Sequence, residues 1–151
     1  MPMAQQPLVR SERLRQVFYL ESMVYCNPMF LAIHHVQLSI PLGASQPARD
    51  FYSVFLGLQE IPRANGVTDR AGFWLKLGDQ QIHVAEEDFP ERGRSRAHVA
   101  YEVQDLAGWT SRLISRGIAV SDGRPVPGLN RIDFRDPFGN RIEMVEREVK
   151  K

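Results

Sequence analysis

Ile33-His34-His35-Val36-Gln37-Leu38-Ser39-Ile40 alternates polar and apolar residues, and the pattern returns at Ala97-His98-Val99-Ala100-Tyr101-Glu102-Val103. Alternation over this length predicts a strand with one buried face, because successive side chains leave a strand on opposite sides. Val36, Leu38 and Ile40, and Val99, Tyr101 and Val103, take the parity of a core. His35, Gln37 and Ser39, and His98, Ala100 and Glu102, take the other. His34 shares the parity of Val36 and Leu38, so it is expected to turn away from any site near the sheet margin. Two further runs, Gln81-Ile82-His83-Val84-Ala85 and Arg141-Ile142-Glu143-Met144, place His83 and Glu143 opposite the bulky apolar residues. Three of the four histidines thus fall into one pattern. Imidazole and carboxylate are standard ligands of a divalent transition metal.

Working outward, the chain repeats itself. From about residue 32 to 87 the expected order is strand, helix, short strand, strand, strand, and it recurs from about 96 to 146. The first helix opens near Ser45-Gln46-Pro47, with proline in the first turn, and runs to Gly57; the second runs from Asp105 to Gly117. Each ends on a glycine suited to the left-handed position after a helix. Short strands are expected at Leu58–Ile61 and Ile118–Val120. Each half then closes with a hairpin, turning at Gly78-Asp79 in the first and at Asp136-Pro137-Phe138-Gly139-Asn140 in the second. The repeat maps His35 onto His98 (98 − 35 = 63) and His83 onto Glu143 (143 − 83 = 60). The fold class expected is α+β: two βαβββ units forming an eight-stranded, incompletely closed sheet around a cleft, with these four residues lining it.

Composition bounds the rest. At 151 residues the chain is expected to hold one domain with a substantial core. Nineteen basic and eighteen acidic residues give a net charge of +1 and no nucleic-acid footprint. The lone Cys26 excludes an internal disulfide framework and suits a reducing compartment. No apolar stretch is long enough to span a membrane, and no signal peptide is recognised, so a cytoplasmic location is expected. Residues 1–28 differ from the remainder. Leu14, Val17 and Phe18 give weak helical character before Asn27-Pro28 breaks it. This segment is expected to be a flexible or loosely docked extension preceding a domain over residues 29–151, and Met29 is an alternative start.

His34-His35-Val36-Gln37-Leu38, the helix end Phe51-Tyr52 … Leu56-Gly57-Leu58, and Asp136-Pro137-Phe138-Gly139-Asn140-Arg141-Ile142-Glu143 resemble the glyoxalase/bleomycin resistance protein/extradiol dioxygenase (vicinal oxygen chelate) superfamily. The resemblance covers roughly residues 32 to 146, and the closing motif ending in glutamate is its most specific part. It implies metal ligands on the first and last strands of each unit, which here are His35, His83, His98 and Glu143. Glyoxalase I enzymes usually carry glutamate where this chain has His83, so His83 is either a ligand or an acid–base group beside a centre of His35, His98 and Glu143. Fosfomycin-modifying and ring-cleaving members resemble that triad.

Such a donor set suits Fe, Mn, Co, Ni or Zn as a divalent ion with open positions for substrate. The activity implied is lyase, isomerase or addition chemistry on a small, oxygenated, anionic substrate whose two neighbouring oxygens are chelated, with His83 and Glu143 as the catalytic residues. The alternative is a metal-free ligand-binding protein of the bleomycin resistance type. A homodimer is also implied, and in some members partner chains complete each other's clefts. Glu102, on the cleft parity of the His98 strand, is a second acid–base candidate but reads rather as a solvated edge residue, and Tyr101, Trp74 and Trp109 read as packing. The linker Glu91-Arg92-Gly93-Arg94-Ser95-Arg96 reads mostly as soluble spacer, with Arg94 or Arg96 the candidate to meet an anion. Arg124 and the loop 125–129 form a possible rim, and Arg131 and Arg135 share one strand face.

Overall fold

The computed structural model describes residues 31–63 and 71–148, so the extension expected at residues 1–28 lies outside the described residues. Internal contacts divide the chain at Ala32/Ile33, and the architecture below is that of the part from Ile33 onward. The first unit contains β1 (His35–Ile40), the helical turn α1 (Ser45–Arg49) widening into a π-helical segment (Asp50–Phe55), β2 (Gln59–Ile61), β3 (Gly72–Leu77) and β4 (Gln80–Glu86). A 3-10 turn, Pro90–Arg94, leads to the second unit: β5 (His98–Glu102), α2 (Leu106–Ser115), β6 (Val120–Asp122), β7 (Leu129–Arg135) and β8 (Arg141–Arg147). The sheets are ordered β1-β4-β3-β2 and β5-β8-β7-β6, with the first and last strand of each unit parallel. Two βαβββ units are therefore present as expected. The eight strands divide into two four-stranded sheets that are not closed into a barrel.

The alternation holds in most strands, with Ala85 of β4 and Glu143 of β8 buried on the polar parity. Leu38, Ile40, Phe73, Leu75, Ile82 and Val84 from one sheet, and Tyr101, Ile132, Phe134, Ile142 and Met144 from the other, belong to one buried core with Phe51, Tyr52, Leu106 and Leu113 of the helices. Both short strands begin later than the sequence predicts. Gly57 and Gly117 adopt left-handed φ values of 78° and 74°, and the next residue still belongs to the helix end. Leu58 N–H donates to Tyr52 O at 3.0 Å and Ile118 N–H to Leu113 O at 3.1 Å, so strand pairing starts only after them. No helix among the described residues is long and apolar enough to cross a membrane.

The repeat extends to the helix starts. Glu86, at the end of β4, accepts from Gly43 N–H (2.8 Å) and from the Ser45 amide and hydroxyl. Glu146, sixty positions on, accepts from Asp105 N–H (2.7 Å) and Leu106 N–H (3.4 Å). In each unit, then, a carboxylate from the last strand satisfies amides that the helix leaves unpaired. The Ser45 hydroxyl, and then the Gly43 amide, hold the Glu86 carboxyl below its usual range.

The two units meet through helices and through the β7–β8 turn. Phe55 packs edge-to-face on Trp109, and the Arg116 guanidinium lies 4.5 Å over the Phe55 ring. The Tyr52 hydroxyl donates to Asp136, whose other oxygen accepts from the Phe138 and Asn140 amides (2.9 and 2.7 Å). The Asn140 side-chain amide bridges Asp136 Oδ2 (2.8 Å) and the Ser39 carbonyl of β1 (2.9 Å). Burial pushes the Asp136 carboxyl above its ordinary value and, with Asp136 alongside, pushes Tyr52 well up. Between the units, Gln37, Leu38 and Ser39 of β1 and Ala97, His98 and Val99 line one groove.

Candidate metal centre

On the second unit the register aligns Ala100 and Asp133 with Glu143, one on each side. Glu143 is only 6% exposed although it lies on the polar parity. Arg131 explains this: its Nη1 donates to Glu143 Oε1 at 3.0 Å, while its Nη2 reaches the Arg124 carbonyl. A buried carboxylate beside an apolar core needs such a partner. The remaining oxygen, Oε2, lies 3.4 Å from His98 Nε2. Next to them Arg141 pairs with Asp133 at 2.7 Å.

The tautomer of His98 decides what this pair can hold. Its Nδ1 lies 3.1 Å from the Arg96 carbonyl, which can only accept, so Nδ1 carries the proton. With the proton on Nδ1 alone, Nε2 presents a lone pair to a carboxylate oxygen that also offers lone pairs. A second proton or a cation between them resolves that opposition. The 3.4 Å separation equals about the edge of a tetrahedron with bonds of about 2.1 Å, the length of metal–nitrogen and metal–oxygen bonds. His98 and Glu143 therefore fit a divalent metal, and Arg131 and the Arg96 carbonyl orient them from behind.

On the first unit the equivalent face is aromatic. His83 stacks on Trp74, with centroids 4.5 Å apart and planes 11° apart, and His35 tilts against the same indole at 5.0 Å. His83 Nδ1 lies 3.2 Å from Gln37 Oε1, its neighbour across the β1–β4 ladder. Trp74 does pack at a sheet face, as expected, and that face is the one carrying the histidines. His34 departs from expectation: its Nδ1 lies 3.0 Å from His35 Nδ1 and the rings meet edge-on. Because β1 begins at His35, strand alternation does not govern His34.

The structure thus brings His98 and Glu143 together, and gathers His35 and His83 around Trp74. Among the described residues no three His, Cys, Asp or Glu side chains group closely enough to hold a metal. Of the other candidates, Glu102 is an exposed partner of Arg147 at 2.7 Å, and Arg94 is an exposed partner of Glu91 at 3.2 Å. Arg135 donates to the carbonyls of Gly139 and Ser95. Arg131 is the residue the sequence undervalued. Its parity, opposite Ile132 and Phe134, was a signal, but only the strand register shows that it reaches Glu143.

A model of the Glyoxalase/Bleomycin resistance protein/Dioxygenase superfamily matches residues 32–144, and the chain belongs to that superfamily. Among solved structures it is similar to a putative glyoxalase family protein from Bacillus anthracis, with 37% identity and a TM-score of 0.72, over 81% of this chain and 99% of that one. It is also similar to the fosfomycin resistance protein FosX from Listeria monocytogenes (20% identity, TM-score 0.60, 82% of this chain and 96% of that one). A variant of FosX has been seen with Mn(II) and a dihydroxypropylphosphonic acid. A third similar structure is TnmS3, an antibiotic binding protein from Streptomyces sp. CB03234 (28% identity, TM-score 0.57, 79% of this chain and 100% of that one). No curated protein matches the chain. The similar structures thus include a protein seen with a bound metal and one that binds an antibiotic.

Proposed function

We propose that this protein is a small metal-dependent enzyme of the glyoxalase/dioxygenase type, acting on a small substrate with two neighbouring oxygens. The observation that carries this reading is the approach of His98 Nε2 to Glu143 Oε2 at 3.4 Å, with the other ring nitrogen of His98 turned to the Arg96 carbonyl. His98 and Glu143 would anchor a divalent metal, with His35 as a third ligand that the described arrangement does not itself bring to the pair. Bound there, the metal would supply Lewis acidity to the chelated substrate oxygens. The chain itself does the remaining work. Arg131 holds Glu143 in place, and the Arg96 carbonyl holds His98 in the tautomer that offers Nε2. His83, steadied by Trp74 and Gln37, is the group placed to move a proton if it is not itself a ligand. We further propose a cytoplasmic homodimer; Val54 and Ile114 leave exposed apolar surface on the helices for a second copy.

One observation favours a second reading. Arg131 already neutralises Glu143 without any metal, so the fold needs none, which suits a protein that binds a ligand without transforming it. Metal analysis after mild purification separates the two. Stoichiometric Mn, Fe, Co, Ni or Zn is expected, with affinity falling about 100-fold or more in His98→Ala and Glu143→Gln. Absence of retained metal, with affinity for added metal unchanged in both variants, overturns the enzyme reading.

A further inference from the structure

The linker between the units holds a charge that the metal centre does not use. Arg92 is only 8% exposed, yet no carboxylate lies within ion-pairing distance of it among the described residues. Its Nη2 donates to the Glu87 carbonyl at 2.8 Å, its Nε has no hydrogen-bond partner, and the Phe89 ring lies 5.8 Å from the guanidinium. The Glu87 carboxylate is instead taken by the Ser39 hydroxyl. A buried guanidinium is ordinarily matched by an anion, because removing it from water without one is costly. The sequence pointed to Arg94 or Arg96 for this role, but both are exposed and Arg94 is spent on Glu91.

Arg92 is buried because the β7–β8 turn closes over it. A Cβ at Gly139 would lie 3.2 Å from Gly93 N and Cα and 3.4 Å from Arg92 Cγ, so glycine lets the turn sit against the linker. Arg92 lines a cavity of about 280 Å³ in the groove between β1 and β5. Arg141, Ser95 and His98 line it too, and none of its lining residues is acidic. His98 also lines an adjoining, more apolar cavity of about 480 Å³ with Ile33, Leu77 and Val99.

We propose that this cavity is an anion subsite in which Arg92 receives the carboxylate, phosphate or phosphonate group of a small organic ligand. The fork of a guanidinium matches such an oxyanion with two parallel hydrogen bonds. His98 forms a wall of both cavities, so a ligand anchored on Arg92 has its organic part beside the metal-binding pair. The substrate class is then a small anion with an apolar portion. Only the placement of the reacting part rests on the metal reading; the subsite itself does not.

The test titrates the full chain, first as purified and then with a chelator present, with inorganic phosphate and with acetate, by calorimetry at low ionic strength. Saturable binding of at least one is expected in both conditions, weakened about 10-fold or more by Arg92→Gln. Arg94→Gln, which removes an exposed charge from the same linker, is expected to leave affinity within about 2-fold. Ala97→Glu leaves Arg92 and its packing in place and puts a carboxylate at the cavity wall, so it is expected to abolish binding even if Arg92→Gln proves unstable. Equal losses in the Arg92 and Arg94 variants, unchanged binding in Ala97→Glu, or no saturable binding would overturn the subsite. Anion binding in a protein that neither carries metal as purified nor takes it up when metal is added would leave the subsite standing and remove only the metal reading.

Discussion

The two βαβββ units share topology, register and helix capping but carry opposite chemistry on their polar faces. Where β8 has Glu143, β4 has His83, and where β7 aligns Asp133 with Glu143, β3 aligns Trp74 with His83. Arg131, which neutralises Glu143, corresponds to Gly72, which has no side chain to offer. One face is therefore a network of ion pairs with a buried carboxylate, and the other is a stack of rings. The difference teaches that a repeated backbone fixes where side chains project, whereas cross-strand neighbours fix the electrostatics they meet.

The Gly72/Arg131 contrast can be broken from either side. Gly72 has φ +135°, and a Cβ there would lie 2.1 Å from the Val84 carbonyl oxygen. Gly72→Ala is expected to cost about 3 kcal/mol or more in chemical denaturation, because both strain and overlap oppose it. Little loss would mean that β3 can shift and that the first unit could accept a side chain at this position. Arg131→Met leaves Glu143 buried without its cation, at a cost of roughly 2–3 kcal/mol that added divalent metal should largely restore. A loss that metal does not reverse would assign Arg131 to packing and to holding the Arg124 carbonyl alone.

A smaller effect concerns the two hairpin turns. The first is the tight Gly78-Asp79; the second is longer and carries Asp136 onto Tyr52 of the other unit. Burial, the largest influence, raises the folded Asp136 carboxyl above the unfolded value of about 3.9. The folded state therefore keeps the proton longer, and the stability this contributes is full below about pH 4 and lost as pH rises through the folded value. Asp136→Asn should remove that dependence, so wild-type denaturation midpoints should fall relative to the variant as pH is raised from about 4. A parallel pair of profiles would show that Asp136 titrates alike in both states.

Most of the fold was legible because alternation and helix ends are local. Val36, Leu38 and Ile40 declare a buried face through their spacing, and Gly57 and Gly117 declare helix ends through the backbone conformation they permit. Even the capping carboxylates, Glu86 and Glu146, sit at repeat-equivalent positions. Arg131 and Arg92 were not legible in this way. Their roles depend on a neighbour across a ladder and on a turn packed from another strand, and neither distance is written in the spacing along the chain.

The sequence by itself determined the two units, the polar parity of His35, His83, His98 and Glu143 and, through the motifs at 34–38, 51–58 and 136–143, the resemblance to the superfamily. Only the tertiary structure decided that His98 and Glu143 meet, that His83 lies on an indole, and that Arg92 is buried without a carboxylate. The reason is physical. Parity depends on the period of one strand, while charge pairing and burial depend on which strands and turns come to lie side by side.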